Sequence, residues 1–245
     1  MPLKESEAIV LRSYPLREAD LLVTFFTRSE GKLRGVARSA LKSRKRFGGA
    51  LEPLTIVRLY WEDRERRELA RIDSCDVLAS PLTDAVDYPR AVALGHVAEV
   101  LDELLPDREG NDAVYRLSAA VLAQLKPGAI WAALTYFDLW MVRLTGFLPE
   151  LGACIMCGEA LNGAPAYFHP LADGLMCAGD RRLASAELSP QSRALAAEMF
   201  RVPVERLSGR EWSKQCGADL RRFLVQRIER HIEKKLVTAA MLEKL

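Results

Sequence analysis

Two groups of residues in this 245-residue chain are of types and at spacings that can do chemistry. The first begins at Cys154-Ile155-Met156-Cys157-Gly158, a CxxC followed by glycine. This is the shape of a zinc knuckle, in which two thiolates take one ion and the glycine permits the tight turn beneath it. Nineteen residues after Gly158, Cys177-Ala178-Gly179-Asp180 has the spacing of a second CxxC, with aspartate where the last cysteine would stand. Zinc accepts carboxylate oxygen, so Cys154, Cys157, Cys177 and Asp180 form a candidate Cys3Asp site of structural role. His169 is the alternative fourth ligand if the intervening loop folds back. The competing reading is a ribbon that no longer holds metal, its thiols buried as small hydrophobes. Cys75 and Cys216 are too isolated in sequence to be assigned as ligands.

The second group is a run of cations. From Arg28 to Arg46 there are eight basic residues and one carboxylate, Glu30, a local excess of +7 in a chain of net charge +2. The remainder therefore sums to −5. Positive charge gathered in one segment flanked by Gly31 and Gly48-Gly49 is an electrostatic footprint suited to a polyanion. The candidate phosphate ligands are Arg34, Arg38, Lys42, Arg44, Lys45 and Arg46. A solvated loop that carries charge only for solubility is the plainer alternative.

Other chemistries find little support. The chain has no Walker A loop, no GxGxxG, no HExxH and no GxSxG, and only three histidines, His96, His169 and His231. Alternating charges in Glu62-Asp63-Arg64-Glu65-Arg66-Arg67-Glu68 predict a salt-bridged hairpin turn, not an acid–base pair. No enzyme is expected. Three classes remain in contention: a nucleic-acid binder, a protein-interaction adaptor with little direct nucleic-acid affinity, and a zinc enzyme with an open coordination position. The last lacks a general base beside the ligands.

The segments that must position these groups change character along the chain. Ala8–Tyr14, Asp20–Thr27, Lys32–Arg38, Leu54–Trp61 and a stretch near Glu68–Val77 are short and rich in β-formers, with turn chemistry between them. Gly35 inside the third is expected to mark a bulge or tight bend. Five such strands in under 80 residues predict a small closed barrel of the OB type, with a β-sandwich as competitor. Pro81 to Pro89 is a hinge-like passage, after which the apolar period becomes helical. One helix carries Leu94, Val97, Leu101 and Leu105. A second is capped by Asn111 or Asp112, and a third, about Ala129–Thr145, is apolar on nearly every side and so central to a bundle. Ser189-Pro190 opens another, and one long helix is expected from about Glu211 to the C-terminus. Arg221, Arg222, Arg230, Lys234 and Lys235 fall off its apolar stripe, as a solvated face, a second nucleic-acid contact or a dock for an acidic peptide.

Composition is ordinary for a folded chain, 49% hydrophobic and 28% charged. No apolar run is long enough for a membrane span, and the N-terminus lacks the apolar core of a signal peptide. A cytoplasmic protein without membrane contact is expected, and five cysteines in a reducing compartment suggest metal before disulfide.

In order and spacing the residues resemble the RecO family. The resemblance runs through Glu7–Arg12, Glu18–Thr24, Gly31-Lys32-Leu33 with Gly35–Arg38, and Arg46-Phe47-Gly48-Gly49-Ala50-Leu51-Glu52-Pro53. It continues through Leu105-Pro106-Asp107, Asn111–Leu117 and Leu144–Glu150 into the first knuckle. It covers the chain up to about Asp180. The resemblance implies an α+β multidomain protein: an N-terminal OB-fold over residues 1–80, then an all-α domain over 81–245 interrupted by a zinc-ribbon-like insertion at 151–183. It also implies a recombination mediator in DNA repair that binds single- and double-stranded DNA, anneals complementary strands, and with RecR helps load RecA onto strands coated by single-stranded-DNA-binding protein (SSB). The family engages the C-terminal tail of SSB. Full zinc sites in the family use four cysteines, so Asp180 is a departure.

Overall fold

A computed structural model describes residues 2–63, 68–207 and 212–245. They form two compact units, residues 1–127 and 128–244. The helical stretch 81–127 therefore belongs to the same unit as the strands.

In the first unit, β1 (Lys4–Pro15), β2 (Leu21–Thr27), β3 (Gly31–Ala37), β4 (Ile56–Glu62) and β5 (Ala70–Ala79) close into a barrel in the order β1-β2-β3-β5-β4. Closure removes the sandwich alternative and leaves no open sheet edge to manage. All neighbours are antiparallel except β3 and β5, which pair in parallel over only Gly35–Ala70, Val36–Arg71 and Ala37–Ile72. Alternation along β3 and β4 sends Leu33, Val57, Leu59 and Trp61 inward, where they meet Phe25, Phe47 and Ile72. Gly35 is no bulge. A Cβ there would stand 2.4 Å from Ile72 Cδ1, so glycine makes room for the parallel neighbour. The register shifts fall instead at Val10/Arg12, Ile56/Val57 and Tyr60/Trp61.

Between β3 and β4 the chain makes a 3-10 turn, Ala40–Lys42, and a single helical turn, α1 (Arg44–Phe47), whose Phe47 plugs the barrel. After β5, α2 (Tyr88–Leu104) starts on Asp87, which accepts from the Arg90 N–H, with Pro89 in its first turn. α3 (Asp112–Gln124) is capped by Asn111, which accepts from the Val114 N–H at 3.1 Å. The loop joining α2 and α3 lies on the β2–β3 hairpin: the Arg108 N–H donates to the Lys32 carbonyl at 3.0 Å. Two glycines permit this approach. A Cβ on Gly31 (φ 70°) would lie 2.0 Å from the Glu109 carbonyl oxygen, and one on Gly110 would lie 2.4 Å from that of Ser29.

The second unit is built on α4 (Trp131–Leu144), buried on most sides as its composition requires. Around it run a two-stranded sheet, β6 (Ala166–Phe168) with β7 (Ala186–Leu188), then α5 (Pro190–Met199), α6 (Val204–Leu207), α7 (Ala218–His231) and α8 (Val237–Glu243). The expected single C-terminal helix is thus two. α7 begins after Gly217 in the left-handed region (φ 65°), and Glu233 at φ 53° breaks the run. The Glu229 side chain then accepts from the Leu236 N–H at 3.1 Å, which fixes the break. Its expected start, Glu211, lies outside the described residues, as does the centre of the predicted 62–68 hairpin turn. Arg221 is not on a solvated face. It is buried over the Trp131 ring at 4.7 Å and donates to Thr135 Oγ1 and to the carbonyls of Cys216 and Lys214. Burial lowers its pKa to about 10. No helix among the described residues is long and apolar enough to cross a membrane.

Candidate nucleic-acid interface and metal knuckles

The eight cations of the basic segment separate into three roles. Arg28 and Lys32 are consumed inside the first unit. Arg28 pairs with Asp112 (2.5 Å) and Glu7 (3.0 Å), while Lys32 donates to the Asp102 carbonyl (2.7 Å) and lies 3.5 Å from the Asp107 carboxylate. Arg46 is half-buried and builds the loop. It donates to the Arg38 carbonyl (2.7 Å) and to Ser43 Oγ (3.2 Å), and its guanidinium covers the Phe47 ring at 4.9 Å. Arg34, Arg38, Lys42, Arg44 and Lys45 are exposed, and among the described residues none of them forms an ion pair. Their positions follow from local structure: Arg34 projects outward from β3, and Arg38, Lys42, Arg44 and Lys45 are exposed along the connection from β3 to β4, a basic rim.

A shallow groove opens next to this rim. One wall is the β1–β2 loop with Leu16, Arg17 and Asp20, the other is Arg38 and Ser39, and Val36, Glu68 and Arg71 are also in its lining, so two carboxylates stand among the three arginines. The walls are tied together, since the Ser39 N–H donates to Asp20 Oδ1 (2.8 Å) and the Leu41 N–H to the Ala19 carbonyl (3.2 Å). Ser39 itself holds a left-handed φ of 53° to make the corner. Arg17 and Arg71 therefore join Arg38 around one concavity. Arg71 is also 3.5 Å from Glu62. Neither residue stands out in sequence. Arg17 sits alone in a loop, and Arg71 comes beside the rim only through the short parallel pairing of β3 with β5.

In the second unit, Cys154, Cys157, Cys177 and Asp180 come together, their ligand atoms all within 4.8 Å of one another. Each pair is delivered by a turn. The Gly158 N–H donates to the Cys154 carbonyl (2.9 Å), with Gly158 at φ 74°, and the Asp180 N–H donates to the Cys177 carbonyl (3.3 Å). Cys157 Sγ is 3.9 Å from Cys177 Sγ, and Asp180 Oδ2 accepts from Cys154 at 3.2 Å and Cys177 at 3.3 Å. Tetrahedral zinc, with Zn–S of about 2.3 Å and Zn–O of about 2.0 Å, sets two sulfurs about 3.8 Å apart and a sulfur and an oxygen about 3.5 Å apart. The donor set and its spacing fit such an ion. His169 is outside the group, its Nδ1 accepting from the Leu171 N–H at 3.1 Å.

The local electrostatics favour deprotonation unevenly. Burial pushes the Cys154 thiol up, but backbone N–H groups of Cys157, Cys177 and Met156 turned to its sulfur bring it below the ordinary value. Cys157, hydrogen-bonded first to Asp180, is pushed up to about 12, and Asp180, accepting from Cys157, Cys154 and Cys177, is held low. A bound cation replaces these thiol protons.

Comparisons with known proteins agree with this architecture. Residues 1–81 match the family described as Recombination protein O N terminal, and residues 85–239 match Recombination protein O C terminal. A protein named DNA repair protein RecO from Koribacter versatilis (strain Ellin345) is 70% identical over 243 residues, which is 99% of each chain. Another of that name, from Anaeromyxobacter sp. (strain K), is 31% identical over 245 residues, covering 97% of this chain and 94% of its own. A third, from Bifidobacterium adolescentis, is 34% identical over 202 residues, 80% of this chain and 78% of its own. From the barrel through the last helices, the chain belongs to the RecO family of DNA repair proteins.

Proposed function

We propose that the protein is a non-enzymatic recombination mediator of the cytoplasm that binds single- and double-stranded DNA and anneals complementary strands. The barrel, residues 1–80, is the DNA-binding domain in this reading. The observation that carries it is the set of five exposed cations, Arg34 on β3 and Arg38, Lys42, Arg44 and Lys45 in the segment after it, without ion-pair partners among the described residues, with Arg38 on a groove that Arg17 and Arg71 also line. Such a surface takes phosphate without reading bases, so affinity falls steeply with salt. Annealing follows physically. Cations that hold two strands reduce their mutual repulsion, and base pairing supplies the driving force.

With RecR as partner, and through the SSB C-terminal tail, the same chain would help RecA onto coated strands, with the helical region 81–245 offering the protein contacts. Cys154, Cys157, Cys177 and Asp180 would hold a structural zinc that cross-links the two knuckles of the 151–183 insertion. The decisive measurement is annealing of complementary oligonucleotides coated with SSB, with zinc measured on the same preparation. Annealing is expected above the rate of the oligonucleotides alone. No acceleration, together with no DNA affinity at physiological salt, overturns the reading.

A further inference from the structure

The three thiols of the knuckles differ in access. Cys154 is 2% exposed, and its backbone is tied on both sides, its N–H to the Glu159 carbonyl (2.8 Å) and its carbonyl to the Gly158 N–H (2.9 Å). Cys157 is exposed and Cys177 half-buried, and their sulfurs stand 3.9 Å apart. With aspartate in the fourth place, the thiols are odd in number, so any disulfide among them leaves one cysteine over. We propose that Cys157 and Cys177 are a peroxide-oxidisable pair, and that their oxidation forms an intrachain disulfide, discharges the metal and leaves Cys154 as the free thiol. The metal-discharge part rests on the zinc reading above. The choice of pair rests on geometry.

Access and proximity select the pair: Cys157 presents the exposed sulfur, and that of Cys177 stands 3.9 Å from it, while Cys154 is buried. A hydroperoxide transfers its terminal oxygen to the Cys157 sulfur: an S–O bond forms, the O–O bond breaks, and the departing oxygen takes a proton from solvent and leaves as alcohol or water. The Cys177 sulfur then attacks the sulfenic sulfur of Cys157. The S–S bond forms, the S–O bond breaks, and hydroxide leaves as water after taking a second proton. The two sulfurs lose two electrons and the peroxide bond gains them.

The insertion has anchors besides the knuckles. Arg193 of α5 donates to the carbonyls of Leu151, Leu161 and Ala164. Arg227 of α7 donates to that of Ala172, and Arg230 to that of Pro170 at 2.9 Å while pairing with Asp173 at 2.7 Å. Phe168 of β6 meets Phe223 of α7 edge-on at 5.2 Å. The disulfide therefore substitutes for the ion as the link between the knuckles while the rest of the insertion stays docked.

The test uses the full zinc-loaded chain and hydrogen peroxide, with released zinc read by a chromophoric chelator and the cysteines mapped by alkylation and mass spectrometry. The expected result is release of about one zinc per chain, a mass loss of about 2 Da in the peptide pair joining Cys157 to Cys177, and an alkylated Cys154, all reversed by dithiothreitol. C157S and C177S should each abolish the disulfide, whereas C154S should still form it. A Cys154–Cys157 bridge, or sulfinic acid without any disulfide, overturns the proposal. Failure to load zinc removes the metal reading alone, since the map of the oxidised cysteines still decides the pair.

Discussion

The guanidinium of Arg46 donates to the carbonyl of Arg38 across 2.7 Å, so one cation of the basic segment fixes the backbone that displays another. Its second and third contacts, Ser43 Oγ and the Phe47 ring, place it between the loop and the barrel plug. Arg46→Ala should therefore cost about 1.5–3 kcal/mol of stability, the range for hydrogen bonds to charged groups. Lys42→Ala, Arg44→Ala and Lys45→Ala, at exposed positions, should stay within about 0.5 kcal/mol of the parent. Urea denaturation followed by far-UV circular dichroism separates them. Equal midpoints for all four variants would contradict the assignment of Arg46 to the scaffold.

The rim residues should show the opposite profile in DNA binding. Each phosphate contact contributes about 0.7 to the slope of log K against log salt for a single strand and about 0.9 for a duplex. The triple variant K42A/R44A/K45A should thus lower the slope by about 2–3 and weaken binding across sequences alike. Fluorescence anisotropy on unrelated oligonucleotides over a salt series reads both quantities. An unchanged slope would move the DNA contact off the α1 rim.

Gly31 tests how the barrel holds the loop between α2 and α3. It sits at φ 70°, and a Cβ there would stand 2.0 Å from the Glu109 carbonyl oxygen. Backbone cannot move aside as a flexible side chain can. Gly31→Ala combines a left-handed penalty of about 1–2 kcal/mol with that clash, so a loss of about 2–4 kcal/mol is expected. Gly49, also left-handed but with open space around it, should cost only the conformational part when changed to alanine.

How much of this the residues announce depends on whether the signal is local. The five strands are carried by β-branched and aromatic runs and each lands within a few residues of its expected bounds. Asn111 and Ser189 cap helices as expected, the latter accepting from the Ser192 N–H at 3.2 Å. The cluster of Cys154, Cys157, Cys177 and Asp180 is also legible, because each pair of its side chains comes from one tight turn. What stays hidden is long-range. Gly35 looks like a bend and is a clearance for Ile72, thirty-seven residues away in sequence. Arg221 looks like a solvated cation and lies buried on Trp131. Arg46 counts as one more positive charge until Phe47 turns inward beneath it. In each case charge or residue type is visible in the sequence, and the partner that sets its role is not.

A ring of four charges should make the first unit acid-sensitive. Lys4 contacts Glu30 at 2.6 Å and Asp63 at 2.8 Å, and Arg108 contacts the same two carboxylates at 3.3 and 2.9 Å. Burial pushes the Asp63 carboxyl up, but hydrogen bonds from Lys4 and Arg108 outweigh it and hold the folded-state pKa below the ordinary aspartate value. A depressed carboxyl contributes stability that is complete above its unfolded pKa and is lost as pH falls through the folded one. Asp63→Asn should therefore be less stable than the parent near neutrality, by no more than about 1 kcal/mol for a partly exposed network, and the difference should shrink below about pH 4. Denaturation midpoints at several pH values give the comparison. A gap that widens on acidification has the wrong sign for this ring.

Asp180 offers the sharpest test of the knuckles. It is the one oxygen donor in the group, 3.2 Å from Cys154 and 3.3 Å from Cys177. Asp180→Asn removes the carboxylate charge with almost no change in shape, and on the proposed zinc reading affinity should fall by at least about tenfold, the lower bound for losing even an outer partner of a metal site. Asp180→Cys restores four thiolates and should bind zinc at least as tightly as the parent. Competition with a chromophoric chelator ranks the three proteins. Chelating the metal from the parent should expose the knuckle turns to protease while leaving the segment held by Arg193, Arg227 and Arg230 in place, because those anchors run to backbone carbonyls away from the sulfurs. If Asn and Asp variants bind zinc equally, the fourth ligand is not Asp180, and the three cysteines bind the ion with some other group or with water.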